Sequence, residues 1–129
     1  MKLVMGASLA LLASICAWSV FAAAPARTPP KCFYGRNVNN FVAVNDETVN
    51  IRVGVRDVYR LKLFGPCVGV TFVQSIALGS NPSAWICADQ PAPADLFIAT
   101  PSGRQRCLVS AVVPLSPADV SALPKKQRP

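Results

Sequence analysis

The chain has 129 residues, 52% of them hydrophobic, 12 prolines, no histidine and a formal net charge of +7. That length suits one small domain, and the missing histidine removes the commonest general base and the commonest metal ligand. The surplus of cations favours anionic partners or surfaces through a long-range field, without specifying a fold.

The chain opens with a short basic start, Met1-Lys2, then an apolar, uncharged run over residues 3–21 and the small-residue exit "AAAPA". This is the pattern of a secretory signal peptide, with cleavage expected after Ala22. A retained membrane anchor is the alternative, since an apolar run of this length nearly spans a bilayer. No second such run follows, so no transmembrane segment is expected after removal of residues 1–22. Cys16 follows Ile15, which is large and branched, and that argues against a lipid anchor there.

Residues 23–31 are rich in proline, alanine and basic side chains and read as a linker. The domain is expected over residues 32–123. Three asparagines within residues 37–40 signal a turn. "FVAVN" (41–45) reads as a first short strand, broken by Asp46-Glu47. The clearest signal comes next. Val49, Ile51 and Val53 alternate with Asn50 and Arg52, and Tyr59, Leu61 and Leu63 alternate with Arg60 and Lys62. Period 2 on both sides of the turn at 54–57 predicts a β-hairpin with one apolar and one basic face. The Tyr59 ring belongs on the core face, with a hydroxyl that needs a partner.

"GVTFVQSIAL" (69–78) has no clean period and reads as a strand, or as a helical turn followed by one. "GSNPS" (79–83) is a loop, "AWICA" (84–88) a short buried strand, and "DQPAPAD" (89–95) a proline-broken turn. "LFIAT" (96–100) and residues 106–115 are the last strands, with Pro114 at an end or an edge. "SPADVSAL" fits a helix start with Ser116 as cap, Pro117 at the first position and Asp119 at the positive end. Residues 124–129 read as a disordered basic tail. About six short strands separated by turn signals predict an all-β, small barrel-like or sandwich domain with a short C-terminal helical turn.

Export leaves Cys32, Cys67, Cys87 and Cys107. An even count in a short exported chain reads as two disulfides. No two lie close enough to supply zinc from one turn, so no metal is expected. The pairing favoured from spacing is Cys32–Cys107 with Cys67–Cys87, tying the start of the domain to its last strand and closing a local loop.

No catalytic residue, cofactor or phosphate-binding loop is legible. The acidic residues Asp46, Glu47, Asp57, Asp89, Asp95 and Asp119 fall mostly in turns or caps, where they bond locally. Asp89, directly after the Cys87 strand, is the one carboxylate worth inspecting. Arg52, Arg60 and Lys62 share the outward hairpin face, with Arg56 in the turn, and these four are the candidate anion-binding residues. The bland alternative is a solvated sheet face whose charges discourage edge pairing. Nucleic acid is disfavoured by export and by the lack of an aromatic ladder.

The series "CFYGRNVNNF", "NDETVNIRV", "VYRLKL", "GPC", "SIALGS", "WICADQ" and "RCLVSAVVPLSPADVSAL" resembles an uncharacterised domain-of-unknown-function family. Its members are small exported envelope proteins of Gram-negative bacteria with four spaced cysteines. The likeness covers residues 32–123. Members often carry tryptophan where Phe41 stands and glycine where Ala88 stands. Many use their first cysteine as a lipid anchor, for which this chain lacks a good lipobox. The resemblance implies a compartment and a domain extent, and no activity.

The expectation is therefore an exported, non-enzymatic periplasmic or secreted domain that binds an anionic envelope component or a protein. The alternatives are an inhibitor of a secreted enzyme, presenting the loop at 79–83, and a small carboxylate-based envelope enzyme acting through Asp89.

Overall fold

In the computed structural model, residues 27–80 and 85–129 are described, and their period-2 stretches form the strands. The expected signal peptide, residues 23–26 of the expected linker, residues 81–83 of the expected loop and residue 84 of the expected strand lie outside the described residues. In chain order the strands are β1 (Cys32–Tyr34), β2 (Val38–Asn45), β3 (Thr48–Val53), β4 (Asp57–Leu63), β5 (Ile76–Gly79), β6 (Trp85–Cys87), β7 (Ala94–Thr100) and β8 (Gly103–Leu115). One helix, α1 (Pro117–Ala122), follows, with 3-10 turns at Gly35–Asn37 and Lys125–Gln127.

The predicted hairpin is β3–β4, with Ile51 opposite Tyr59 and Val49 opposite Leu61. Gly54 takes φ 64° in its turn, a left-handed conformation that glycine adopts without steric cost. Six strands form one antiparallel sheet in the order β2-β3-β4-β8-β7-β5. β8 is long enough to serve two neighbours. Its C-terminal half pairs with β4 and its N-terminal half with β7, and the register shifts between Lys62 and Leu63. The sheet curls there, so the inward residues of β3 and β4 meet those of β7. Val49, Ile51, Tyr59, Leu61, Leu96, Ile98 and Val109 are almost fully buried together. Each side chain removed from water in this way contributes about 1.5–3 kcal/mol. The all-β, barrel-like expectation holds.

β1 and β6 form a separate two-stranded sheet that covers one end of this core. Phe33 and Ile86 face each other across it and both are buried, and the Phe33 ring lies 4.5 Å from that of Tyr59. The chain passes tightly from β1 to β2. A β-carbon on Gly35 would stand 2.6 Å from the Leu78 backbone oxygen, so only glycine fits there.

Four expectations are corrected. The disulfides are Cys32–Cys87 and Cys67–Cys107, not Cys32–Cys107 and Cys67–Cys87. The strands decide this. Cys32 and Cys87 are register partners across β1 and β6, with Cα atoms 4.1 Å apart. Cys67 follows β4, and Cys107 lies in β8, the strand beside β4; their Cα atoms are 5.8 Å apart. The stretch expected as a turn at 37–40 instead starts β2, because Val38 and Asn40 pair with Val53 and Arg52. The end of the expected linker is docked: Pro29 is buried, and the Lys31 oxygen accepts from the Ala88 amide at 2.8 Å. Finally, residues 124–129 are not a disordered tail. They form the Lys125–Gln127 turn and lie on the sheet, held by contacts that charge and proline content do not reveal.

Candidate anion-binding face

The outward side of the hairpin carries Asn50 and Arg52 from β3 and Arg60 and Lys62 from β4, with Asn50 directly opposite Arg60. Alternation puts these side chains on the face away from the core. Yet Asn50 has no exposed surface. The C-terminal segment covers it. The Asn50 side-chain nitrogen donates to the Gln127 backbone oxygen at 2.9 Å, and its oxygen accepts from Arg60 Nε at 3.1 Å. Arg52 donates to the backbone oxygen of Pro129, which is itself buried.

The preceding helix sets this segment in place. Ser116 and Asp119 form a reciprocal capping box, with Pro117 in the first turn. Hydrogen bonds from the Ser116 backbone and then its hydroxyl hold the Asp119 carboxyl below the usual carboxylate range. Beyond the helix, Arg128 folds back and donates to the oxygens of Leu123 at 2.9 Å and Ser121 at 2.7 Å. This brings the exposed Lys125 and Lys126 onto the same side of the sheet as the exposed Lys62.

The predicted cations therefore divide. Arg52 bonds the C-terminal segment directly, Arg60 bonds the Asn50 that holds it, and Lys62 remains exposed on the face. Arg56 belongs elsewhere. It lines a cavity of about 350 Å³ together with Arg27, Asp57, Pro29, Leu115, Pro117 and Val120. Sequence reasoning missed the lysines of the segment as part of this face, because their strand neighbours are distant in the chain. It also missed a shallower groove of about 560 Å³ between residues 68–75 and the β7–β8 turn, where Phe72 is 88% exposed. No periodicity marks that stretch.

Tyr59 finds the partner its hydroxyl needs, donating to the Pro30 oxygen at 2.7 Å. Burial first, and the Asp57 carboxylate second, push its phenol up to about 12, against the opposing pull of Arg27. A folded pKa above the unfolded value of 10.0 means that this contribution is complete below pH 10 and is lost as pH rises toward 12. Denaturant titrations should show stability falling over that window by on the order of 2 kcal/mol more in the wild type than in Tyr59→Phe. Parallel pH profiles would contradict this.

The remaining acids are dispersed. Asp89 is exposed in the turn after β6, and Asp95 pairs with Arg106 at 2.9 Å across β7 and β8. Among the described residues no group of three or more histidine, cysteine or acidic side chains is arranged to hold a metal ion. No helix among them is long and apolar enough to cross a membrane.

The full length, residues 1–129, matches the family of unknown function DUF6491. The chain belongs to that family. The match bears out the likeness to a domain-of-unknown-function family and spans both the C-terminal segment and the residues of the cavity. No curated protein and no solved structure matches the chain. The two disulfides of this DUF6491 member fit an oxidising, extracytoplasmic setting.

Proposed function

We propose that this DUF6491 chain is an exported, non-enzymatic binding domain, periplasmic or secreted, that holds an anionic envelope partner on the outer face of its β3–β4 hairpin. One observation carries the reading. The C-terminal segment lies on an already basic sheet face, held there through oxygens of Gln127 and Pro129, and it adds two lysines, Lys125 and Lys126, to a face that carries Arg52, Arg60 and the exposed Lys62. Crowding like charges is unfavourable unless a counter-charge relieves it. The carboxylate that acts on Arg60, Asp119, is already engaged in capping α1. The signal-peptide pattern and the disulfides support export. The absence of histidine from the sequence and the scatter of the acids support a binding role over a catalytic one.

The test is retention of the purified protein on an anionic envelope fraction across a salt series. Screening over a Debye length of about 10 Å at 0.1 M salt should release it progressively, and a Lys62, Lys125, Lys126→Gln variant should elute at lower salt. Retention that ignores both salt and the substitutions would remove the reading. A protein partner is the second reading, favoured by Val68 and Phe72, which stand 69% and 88% exposed beside the groove. It predicts salt-insensitive retention that Phe72→Ser abolishes.

A further inference from the structure

The arginines of the domain sort by what they touch. Arg52 and Arg128 bond backbone oxygens, Arg60 bonds Asn50, Arg106 pairs with Asp95, and Arg104 lies 4.1 Å over the centre of the Phe97 ring. Arg27, Arg36 and Arg56 make no hydrogen bond or ion pair among the described residues, and two of them, Arg27 and Arg56, line the same cavity.

That cavity is assembled from separate parts of the chain. Arg27 and Pro29 come from the segment before β1, Arg56 and Asp57 from the hairpin turn, and Leu115, Pro117 and Val120 from the end of β8 and α1. Pro29 and Leu115 are buried, and with Pro117 and Val120 they give it an apolar floor. Among the described residues, the charged groups on its wall are two guanidiniums and one carboxylate, Asp57. Their sum leaves one positive charge without a counterpart.

We infer that this cavity is a ligand site for a carboxylate on a small apolar body. A guanidinium presents paired N–H donors in a planar fork that matches a carboxylate, and the apolar floor takes the rest of the molecule. The surplus of one charge suits a monoanion. A volume of about 350 Å³ sits at the small end of the roughly 300–1,000 Å³ range of small-molecule sites, which excludes a bulky body. The carboxylate belongs either to a free organic acid or to the terminal residue of a peptide. The inference extends the anion-binding reading to a second place and shares no residue with Lys62, Lys125 and Lys126, so the two stand or fall separately.

The experiment is an amide NMR titration of the purified, disulfide-bonded protein with octanoate, N-acetyl-leucine and N-acetyl-leucinamide. One or both carboxylates should shift the signals of Arg56, Asp57 and Val120, and the uncharged amide should not. Octanoate acting alone identifies the free acid as the source, and tighter binding of N-acetyl-leucine identifies the peptide terminus. Arg27→Gln and Arg56→Gln should each weaken binding about tenfold, the loss expected from one charged hydrogen-bonding group. Arg36→Gln and the Lys62, Lys125, Lys126→Gln variant should bind as the wild type does. The inference is overturned if neither carboxylate binds, if the amide binds equally well, if the shifts fall elsewhere, or if Arg56→Gln changes nothing.

Discussion

Reduction of both disulfides is expected to unfold the domain near 25 °C. Cys32–Cys87 spans a sequence separation of 55 and Cys67–Cys107 one of 40. Closing loops of these lengths in the unfolded chain contributes about 4 kcal/mol each by chain-entropy arithmetic. Together that approaches the whole stability of a small domain, about 5–15 kcal/mol. The bonds also act where the sheet is least self-sufficient. One holds the three-residue strands β1 and β6 over the end of the core, and the other fixes the connection after β4 to β8. Thermal circular dichroism with and without reductant tests this. A single Cys67→Ala, Cys107→Ala pair should lower the midpoint by about 15–30 °C, scaled from the shift per kcal/mol for a domain of this size. Non-reducing peptide mapping should recover Cys32–Cys87 and Cys67–Cys107. A reduced protein that melts with the oxidised one would contradict the account.

Asn50→Ala is expected to cost about 2–3 kcal/mol, well above an ordinary polar substitution. Asn50 is fully buried and uses both ends of its amide, one for the Gln127 oxygen and one for Arg60. Alanine removes the anchor of the C-terminal segment and deprives a partly buried guanidinium of its acceptor. Asn50→Asp separates the two contacts. It keeps an acceptor for Arg60 but sets a carboxylate oxygen against the Gln127 carbonyl, so the segment should still detach. Hydrogen exchange over residues 125–128 should rise sharply in both variants, with the larger loss of global stability in alanine. Unchanged exchange in either variant would show that the segment is held by something else.

The contrast between these two cases shows what the sequence can carry. The β3–β4 hairpin was legible because Val49, Ile51 and Val53 on one strand and Tyr59, Leu61 and Leu63 on the other obey period 2 over whole strands. The Ser116 cap was legible because helix-start chemistry is local. The disulfide pairing was not, since it depends on which strands lie side by side, and β1, only "CFY", is too short to announce itself or its pairing with β6. Asn50 read as a water-facing residue on a basic face. Alternation reports which side of a sheet a residue takes, and it says nothing of whether another segment covers that side. The C-terminal segment gives no sequence signal for the complementary reason: it docks through main-chain oxygens of Gln127 and Pro129, which do not depend on side-chain identity. Arg56 was assigned to the hairpin cations by proximity in sequence, whereas the turn carries it to the cavity with Arg27.

In the proposed binding mode, the place of the cations and not their number would hold an anionic partner. The most direct measurement compares two variants that each lose three charges, on the same anionic envelope fraction at the same salt. One is Lys62, Lys125, Lys126→Gln, and the other is Lys31, Arg36, Arg104→Gln, whose positions lie outside β3, β4 and the C-terminal segment. The first should lose most of its retention while the second should keep nearly all of it. Equal loss in both would show that net charge alone is responsible and would contradict the assignment of the face.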